Sequence, residues 1–287
     1  MSGIWYMLQD EERYVYHYTT AATLAEHILS SGKLRFSRFQ SVNDPKEAKD
    51  WTFNFYNTYG EKIEYMDEVQ DAFNIHLKHD WYVGCLVSDV YEGVVNKARE
   101  DKGEDIIGAL YERGHSRPSM WVHYGDNHAG ACLVFEKASL DKAVRDAAGE
   151  GRIIYSGRVE YRNPPVVPKF GITKNEILID LVTVKKIGVE AAARQHMEAH
   201  FGELLFAKNP DWAPEREFRW VISVDEDEYF YVNIYDSLVG IALGDQFPRV
   251  HSMAVGVYSL EHGVSVATMD WQNGVPQPKP SHPRLLM

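Results

Sequence analysis

The sequence predicts an α+β fold, a mostly antiparallel or mixed sheet with helices around it. Three observations carry that prediction. Short runs rich in β-branched and aromatic residues recur along the chain, at 14–20, 81–87, 129–135 and 218–224. Stretches with helical apolar spacing lie among them without a strict strand–helix–strand alternation. The aromatic count is high, with 7 Trp, 17 Tyr and 12 Phe, which suits a β-rich core or an aromatic-lined cleft.

Taken in order, Tyr16-His17-Tyr18-Thr19 belongs to a first strand. Thr19 or Thr20 then caps a helix through Leu24, Ile28 and Leu29, which Gly32 ends. A second strand alternates over 33–39. Asn43-Asp44-Pro45 is a turn that starts a helix carrying Glu47. Helical spacing follows over 50–78, then a buried strand at 81–87. The polar stretch 89–117 holds short helical patterns. A strand at 129–135 leads into a helix at 140–148. Residues 153–155 and 159–161 read as a hairpin around Ser156-Gly157. Asn163-Pro164-Pro165 breaks the pattern, and 176–204 is helical with a break near Gly188. Residues 218–224 and 229–232 read as strands paired across the acidic turn 225–228. Short strands at 241–243 and 264–267 flank a helix near 250–255, and a Pro-rich tail follows at 276–283. With no repeat and no clear linker, one domain over 1–287 is expected, with helical insertions at about 50–80, 89–117 and 176–204.

The chain has 287 residues, with 30 basic and 42 acidic side chains and a formal charge of −12. At 45% apolar and 25% charged, it is neither disordered nor fibrous in composition. The acidic balance disfavours broad attraction to phosphate backbones and leaves room only for a local basic patch. Two cysteines, Cys85 and Cys132, are too few for a disulfide framework or a four-cysteine metal site. Asp10, Glu11 and Glu12 stand where a signal peptide would be apolar, and no apolar stretch approaches the ~20 residues that span a bilayer. The expectation is a cytoplasmic protein with free thiols that does not engage membranes.

No phosphate-loop, dinucleotide-fingerprint, hydrolase-elbow or zincin motif occurs. Three other constellations stand out. In Tyr16-His17-Tyr18-Thr19, strand alternation puts His17 on one side and both tyrosines on the other. His17 is either a satisfied histidine in a sheet or a hydrogen-bonding group in a cleft. From Lys208 to Trp220 the pattern is K-x-x-x-W-x-x-E-x-E-x-R leading into a strand. Glu215, Glu217 and Arg219 share one face if the strand starts that early. They form a structural ion pair or a carboxylate that stabilises a cationic substrate. In Met120-Trp121-Val122-His123-Tyr124 and the residues to Gly130, the histidines lack a metal-ligand pattern. A loop whose Trp121, His123 and Tyr124 wall a cleft or cap the sheet is expected, and no metal.

These segments together resemble an uncharacterised bacterial domain family. They are Tyr16 to Thr19, Asn43-Asp44-Pro45 with Glu47, Met120-Trp121 with Tyr124 and Gly130, and Lys208, Trp212, Glu215, Glu217 and Arg219. That family in turn looks like a distant branch of the ADP-ribosyltransferase superfamily. The resemblance implies mixed or antiparallel sheets flanked by helices, and NAD as substrate. It implies Glu217 as the first-choice catalytic carboxylate, Glu215 as the alternative, and His17 holding NAD. It implies a contact set of His17, Tyr18, Thr19, Asn43, Trp121, Tyr124 and Arg219, with Phe36, Phe39 or Tyr124 supplying the aromatic wall. The function so implied is an ADP-ribosyltransferase or NAD glycohydrolase acting as a toxin or antiviral effector. Its acceptor would be a protein or nucleic acid. A catalytically inactive binding module is the first alternative. A hydrolase or nuclease built on Asp44, Glu47, Glu215 and Glu217 is the second. A partner protein and a second copy of the chain both remain open. Two geometric expectations follow. His17, Asn43, Trp121, Tyr124 and Glu217 should converge on one pocket, and Arg219 should pair with Glu215 or with an acid between Asn43 and Glu47.

Overall fold

Alternation decides the first strand. In β1 (Tyr14–Thr19) the tyrosines at 14, 16 and 18 bury in one apolar cluster, while Val15 packs into another. The computed structural model describes residues 13–56, 66–89, 113–162, 178–223 and 229–287. After β1 comes a π-helical segment, Thr23–Leu29, with Leu24, Ile28 and Leu29 buried. Thr20 accepts from the Thr23 amide at 3.2 Å and so caps it. Gly32 ends it at φ 63°, and a Cβ there would meet the Tyr235 ring at 2.1 Å. Strand β2 is Lys33–Arg38.

Helix α1 (Pro45–Ala48) is short but well begun. Asp44 accepts from the Lys46 amide at 2.9 Å, and Pro45 stands at its first turn. Strand β3 (Asn54–Tyr56) and helix α2 (Met66–Asn74) follow. Strand β4 (Trp81–Ser88) is buried nearly throughout. Helix α3 (Pro118–His123), strand β5 (Ala131–Glu136) and helix α4 (Lys137–Ala148) come next. Then come β6 (Ile154–Arg158), β7 (Glu160–Tyr161) and β8 (Leu178–Asp180). Helices α5 (Leu181–Ile187) and α6 (Val189–Leu205) meet at Gly188, whose φ of 87° breaks the run. Strand β9 (Ala207–Lys208), a 3₁₀ turn Pro210–Glu215 and strand β10 (Glu217–Ser223) carry the charged motif. The chain closes with β11 (Phe230–Asn233), β12 (Leu238–Leu243), α7 (Arg249–His262), β13 (Ser265–Gln272) and β14 (Val275–Pro280).

The architecture is α+β. Among the described residues ten strands form one sheet, ordered β11-β2-β4-β1-β5-β12-β13-β14, with β10 on β4 and β6 on β10. Its pairs are antiparallel except β12 with β13. β4 is the hub. β10 occupies one edge of it along the whole length, from Glu217↔Val87 to Ser223↔Trp81. The other edge is shared. β1 holds its end at Val15↔Ser88 and Tyr16↔Val87, and β2 holds its start at Ser37↔Val83 and Arg38↔Tyr82. Between them β1 and β2 part, and among the described residues Gly84, Cys85 and Leu86 have no strand beside them on that edge. The sheet is split there.

Helices cover both faces. Trp220, Ile222, Tyr82 and Leu86 pack with α4 and α7 residues such as Leu140, Val144 and Val255. Val221, Val83 and Trp81 pack on the other side with Phe73 of α2, Val184 of α5 and Met197 of α6. A third cluster joins the β1 tyrosines to Met120 and Trp121 of α3. No helix among the described residues is long and apolar enough to cross a membrane.

Several elements differ from expectation, for physical reasons. The aromatic run within 50–78 is partly strand, because Asn54, Phe55 and Tyr56 pair with β8. Ser156-Gly157 lies inside β6 rather than in a turn, and β7 pairs in parallel with β9, so there is no hairpin. β11 pairs with β2, not with β10. Residues 118–123 are helix rather than loop, started by Pro118. The Pro-rich tail is an edge strand, where prolines lose no ladder hydrogen bond. The expectations for 90–112, for Asn163-Pro164-Pro165 and for the acidic turn at 225–228 lie outside the described residues.

Candidate functional site

The split in the sheet is the mouth of a cleft. Its walls are His17 of β1, Leu34 and Phe36 of β2, Gly84 to Val87 of β4, Asn43, Met120 and Tyr124, and its acidic end is Lys208, Glu215 and Glu217. The cavity volume is ≈ 230 Å³. Gly84 is required here, since a Cβ would meet the Phe36 ring at 2.2 Å. Phe36 therefore lies flat on β4 as part of the wall.

His17 bonds the backbone of Cys85, one of the residues left without a neighbouring strand, and burial pulls its pKa down to about 4. It is neutral at physiological pH. On the opposite side of the strand Tyr18 donates to the Gly114 carbonyl at 2.7 Å and meets the Trp121 ring edge-on at 5.1 Å.

The acidic end is a network around one arginine. Arg219 is fully buried, and all five of its donors are used. Two go to Glu47, at 2.5 and 3.0 Å. Two go to Glu217, Nη2 at 3.0 Å and Nε closer still. One goes to the Leu205 carbonyl at 2.7 Å. Lys208 stands 2.9 Å from both Glu215 and Glu217 and 5.3 Å from the centre of the Trp212 ring. Burial pushes Glu47 above the usual carboxylate range. Glu217 is pulled down to about 2, because Arg219 and Lys208 outweigh its desolvation. With every carboxylate ionised, three acids against two cations leave one net negative charge.

Glu215 reaches this network from outside β10. It ends the 3₁₀ turn, and Arg216 follows in the left-handed region at φ 47°. That bend is held by Ser88, whose amide and hydroxyl both donate to the Arg216 carbonyl at 2.8 Å. The chain then enters β10 with Glu217 inward. So Glu215 and Glu217 do not share a strand face, and they converge through Lys208 instead. Tyr124 donates to Glu215 Oε1 at 2.5 Å, and Asn43 donates to the Tyr124 hydroxyl at 3.4 Å. Hydrogen bonding to Glu215 and burial push the Tyr124 hydroxyl up to about 12, with burial the larger cause. It remains a donor at any working pH.

The structure thus brings His17, Asn43, Tyr124, Glu215 and Glu217 to one cleft, and it pairs Arg219 with Glu47. Three expected contact residues are elsewhere. Trp121 is fully buried, with Nε1 donating to the His115 carbonyl at 2.8 Å, because the apolar face of α3 turns toward the β1 tyrosines. Thr19 is buried in the β1–β5 ladder opposite Ala131, and its carbonyl lies where a Cβ on Gly130 would fall. Arg219 sits behind the carboxylates and does not line the cleft. Tyr18 reaches the lining, though its hydroxyl is taken by Gly114.

Sequence reasoning assigned no site role to Lys208, Cys85 or Tyr161. Tyr161 accepts from the Glu217 amide at 2.8 Å, and the Cys85 thiol also bonds the Glu217 carboxylate. For Lys208 the signal was present: it opens the same charged motif, seven residues before Glu215. Cys85 and Tyr161 are placed by non-local pairing and left no local mark.

No curated protein and no solved structure matches the chain. None of the comparisons extends to the ADP-ribosyltransferases. A family model described as a protein of unknown function (DUF2971) matches residues 120–220. The match takes in Tyr124, Lys208, Glu215, Glu217 and Arg219 and leaves His17, Asn43 and Glu47 outside. Over that segment the chain is similar to an uncharacterised domain family.

Proposed function

We propose that the cleft binds NAD and breaks its nicotinamide–ribose bond, as an ADP-ribosyltransferase or NAD glycohydrolase. The observation that carries this is Glu215, a carboxylate at the cleft wall, ordered by Tyr124 and Lys208 and lining the same cleft as a neutral His17. In the reaction the bond from ribose C1′ to the ring nitrogen breaks. Nicotinamide leaves as a neutral molecule with the bonding pair, and C1′ becomes cationic. Water or an acceptor nucleophile then bonds C1′ and releases its proton. Such chemistry needs a placed negative charge and orientation rather than a strong nucleophile. A neutral His17 adds no positive charge against the pyridinium ring.

Of the two carboxylates, Glu215 now takes the first role. Glu217 has both oxygens bound by Arg219, and one also by Lys208. Its field is largely offset, and it acts as the frame for Lys208. Among the described residues Glu215 meets one cation, shared with Glu217, and one neutral donor. As a substrate-stabilising charge it should account for a hundred- to thousandfold in rate. Incubation of the protein with NAD, with and without lysate, followed by nicotinamide assay, tests this. Release that falls at least a hundredfold in Glu215→Gln supports the reading. Release only with lysate indicates a transferase, and release without it a glycohydrolase. No release under either condition overturns the enzyme and leaves a binding module. The toxin or antiviral role stands or falls with the same assay in growing cells.

A further inference from the structure

Helix α7 has two faces that differ in use. Val255, Gly256, Tyr258 and Ser259 point inward and are buried. A Cβ on Gly256 would meet the Pro283 carbonyl at 2.8 Å and Met287 at 3.0 Å, so the segment after β14 closes over that flank. The outward face is apolar where a polar one is usual. Val250, Met253, Val257 and Leu260 are all exposed, from 36% at Val257 to 80% at Val250. Single exposed apolar side chains are ordinary on a protein surface, but a contiguous row of them marks a contact face. Their spacing is three, four and three, the a and d positions of a heptad.

The row is complementary to itself. When a second copy of α7 lies antiparallel about an axis level with Val255, Val250 falls beside the partner's Leu260 and Met253 beside the partner's Val257. Each layer then sets a valine against a longer side chain. The charges choose the same direction. Arg249 stands in the first turn of α7 and Glu261 in the last, each at the end of its own helix whose dipole repels it. Both are exposed, and among the described residues neither has a hydrogen-bond or ion-pair partner. An antiparallel copy reverses both terms. It brings Arg249 level with the partner's Glu261 and beside the negative end of that helix, and symmetry repeats the match at the other end. A parallel copy would set like charges level with each other. We propose that α7 is the contact face of a symmetric homodimer, in which two copies of the helix pair antiparallel through Val250, Met253, Val257 and Leu260. None of the residues lining the cleft lies on α7, so this interface does not rest on the reading of the cleft.

A pair of helices of 14 residues each, with Met287 beside each, buries on the order of 1,000 Å² in all, the low end for a specific interface. The dimer should therefore form with concentration, with a Kd on the order of 10 µM. Sedimentation velocity of the full chain across the micromolar range tests this. The natural chain should pass from monomer to dimer. Met253→Lys alone and Val257→Glu alone should each weaken the dimer at least tenfold, since each buries an unpaired charge. Both positions are exposed in the monomer, so the melting temperature of either variant should stay within a few degrees of the natural chain's. Mixed in equal amounts, the two variants should form a heterodimer, because only the antiparallel register sets the introduced lysine against the introduced glutamate. A natural chain that stays monomeric throughout the range overturns the second copy as occupant and leaves the row to a different partner. A dimer that Met253→Lys and Val257→Glu leave intact overturns the role of α7. Variants that weaken the dimer singly and do not associate when mixed overturn the antiparallel pairing.

Discussion

Two buried arginine–carboxylate clusters flank the end of β4, and only one opens onto the cleft. In the first, Asp89 meets Arg113 at 3.2 Å, accepts from Tyr16 at 3.1 Å and from the Gly114 amide at 2.7 Å. Among the described residues one acid faces one base, and neither lines the cleft. This cluster fixes the turn Gly114–Ser116 against β1. In the second, Arg219 is saturated by Glu47 and Glu217, and a further acid, Glu215, continues the network outward through Lys208. The difference is excess charge with an exit. A closed, matched pair specifies structure. A network with one carboxylate to spare at a cleft wall has charge to offer a ligand.

The largest effect should come from removing the hub of the open cluster. Arg219→Met leaves Glu47 and Glu217 buried with Lys208 in place of their bidentate partner. Breaking a buried pair in this way costs about 3–5 kcal/mol, a melting-temperature loss on the order of 10 °C for a chain of this size. A thermal melt unchanged within a degree would show that the network is not structural. Asp89→Asn is the matched change in the closed cluster. It keeps the shape and an acceptor but takes the Asp89 charge away from Arg113, at roughly 2–3 kcal/mol. Ligand affinity in the cleft should not move. If it falls together with stability, the two clusters are coupled and the distinction drawn between them fails.

Acid should separate the clusters next. His115, in the closed cluster, is wholly buried and held down to about 3. Its folded pKa lies below the unfolded value, so stability is intact above about pH 6.5 and erodes as pH falls toward 3. Between pH 6.5 and 5 that is about 2 kcal/mol. His17, at the cleft, erodes stability in the same direction between 6.5 and about 4. Glu217 contributes stability above its unfolded pKa near 4.5 that is lost only as pH falls toward about 2. A melting series from pH 7 to 4 should therefore decline well before Glu217 titrates. His115→Phe should flatten part of the decline. A flat series in the natural chain would contradict the neutral burial of both histidines.

How much of this was legible depends on range. Trp81 to Val87 read as a buried strand because every residue is apolar or small, and β4 is that strand. The Asn43-Asp44-Pro45 turn with Glu47 read as a capped helix start from local chemistry alone, and the pairing of Arg219 with that segment followed from charge. What sequence could not show is which strands meet. The partner of β11 is β2, nearly two hundred positions earlier, and the gap that β2 and β1 leave on β4 is a property of three strands at once. Trp121 misled because an aromatic in a motif looks the same whether it walls a cleft or fills a core. The left-handed Arg216 was invisible too, since nothing in Glu-Arg-Glu marks a bend, and it is that bend which brings Glu215 from outside β10 to meet Glu217 at Lys208.

The smallest expected change in stability tests the open cluster at its outer end. Tyr124 touches Glu215 and Asn43 and lines the cleft. Tyr124→Phe removes one hydroxyl and keeps the ring. Because the site is reached by solvent, water can replace that donor in the free protein, and the loss should be about 1 kcal/mol or less. The effect on the bound state is larger, for a ligand in the cleft would exclude the replacing water and leave Glu215 to turn within its Lys208 contact. Turnover, or ligand affinity if there is no turnover, should fall about tenfold while the melting temperature barely shifts. With the Tyr124 hydroxyl held up to about 12, the natural chain's pH–rate profile should show no ionisation from this group below pH 10. A Tyr124→Phe variant that melts several degrees lower and keeps full activity would invert the comparison, and would make Glu215 part of the frame rather than the charge it presents.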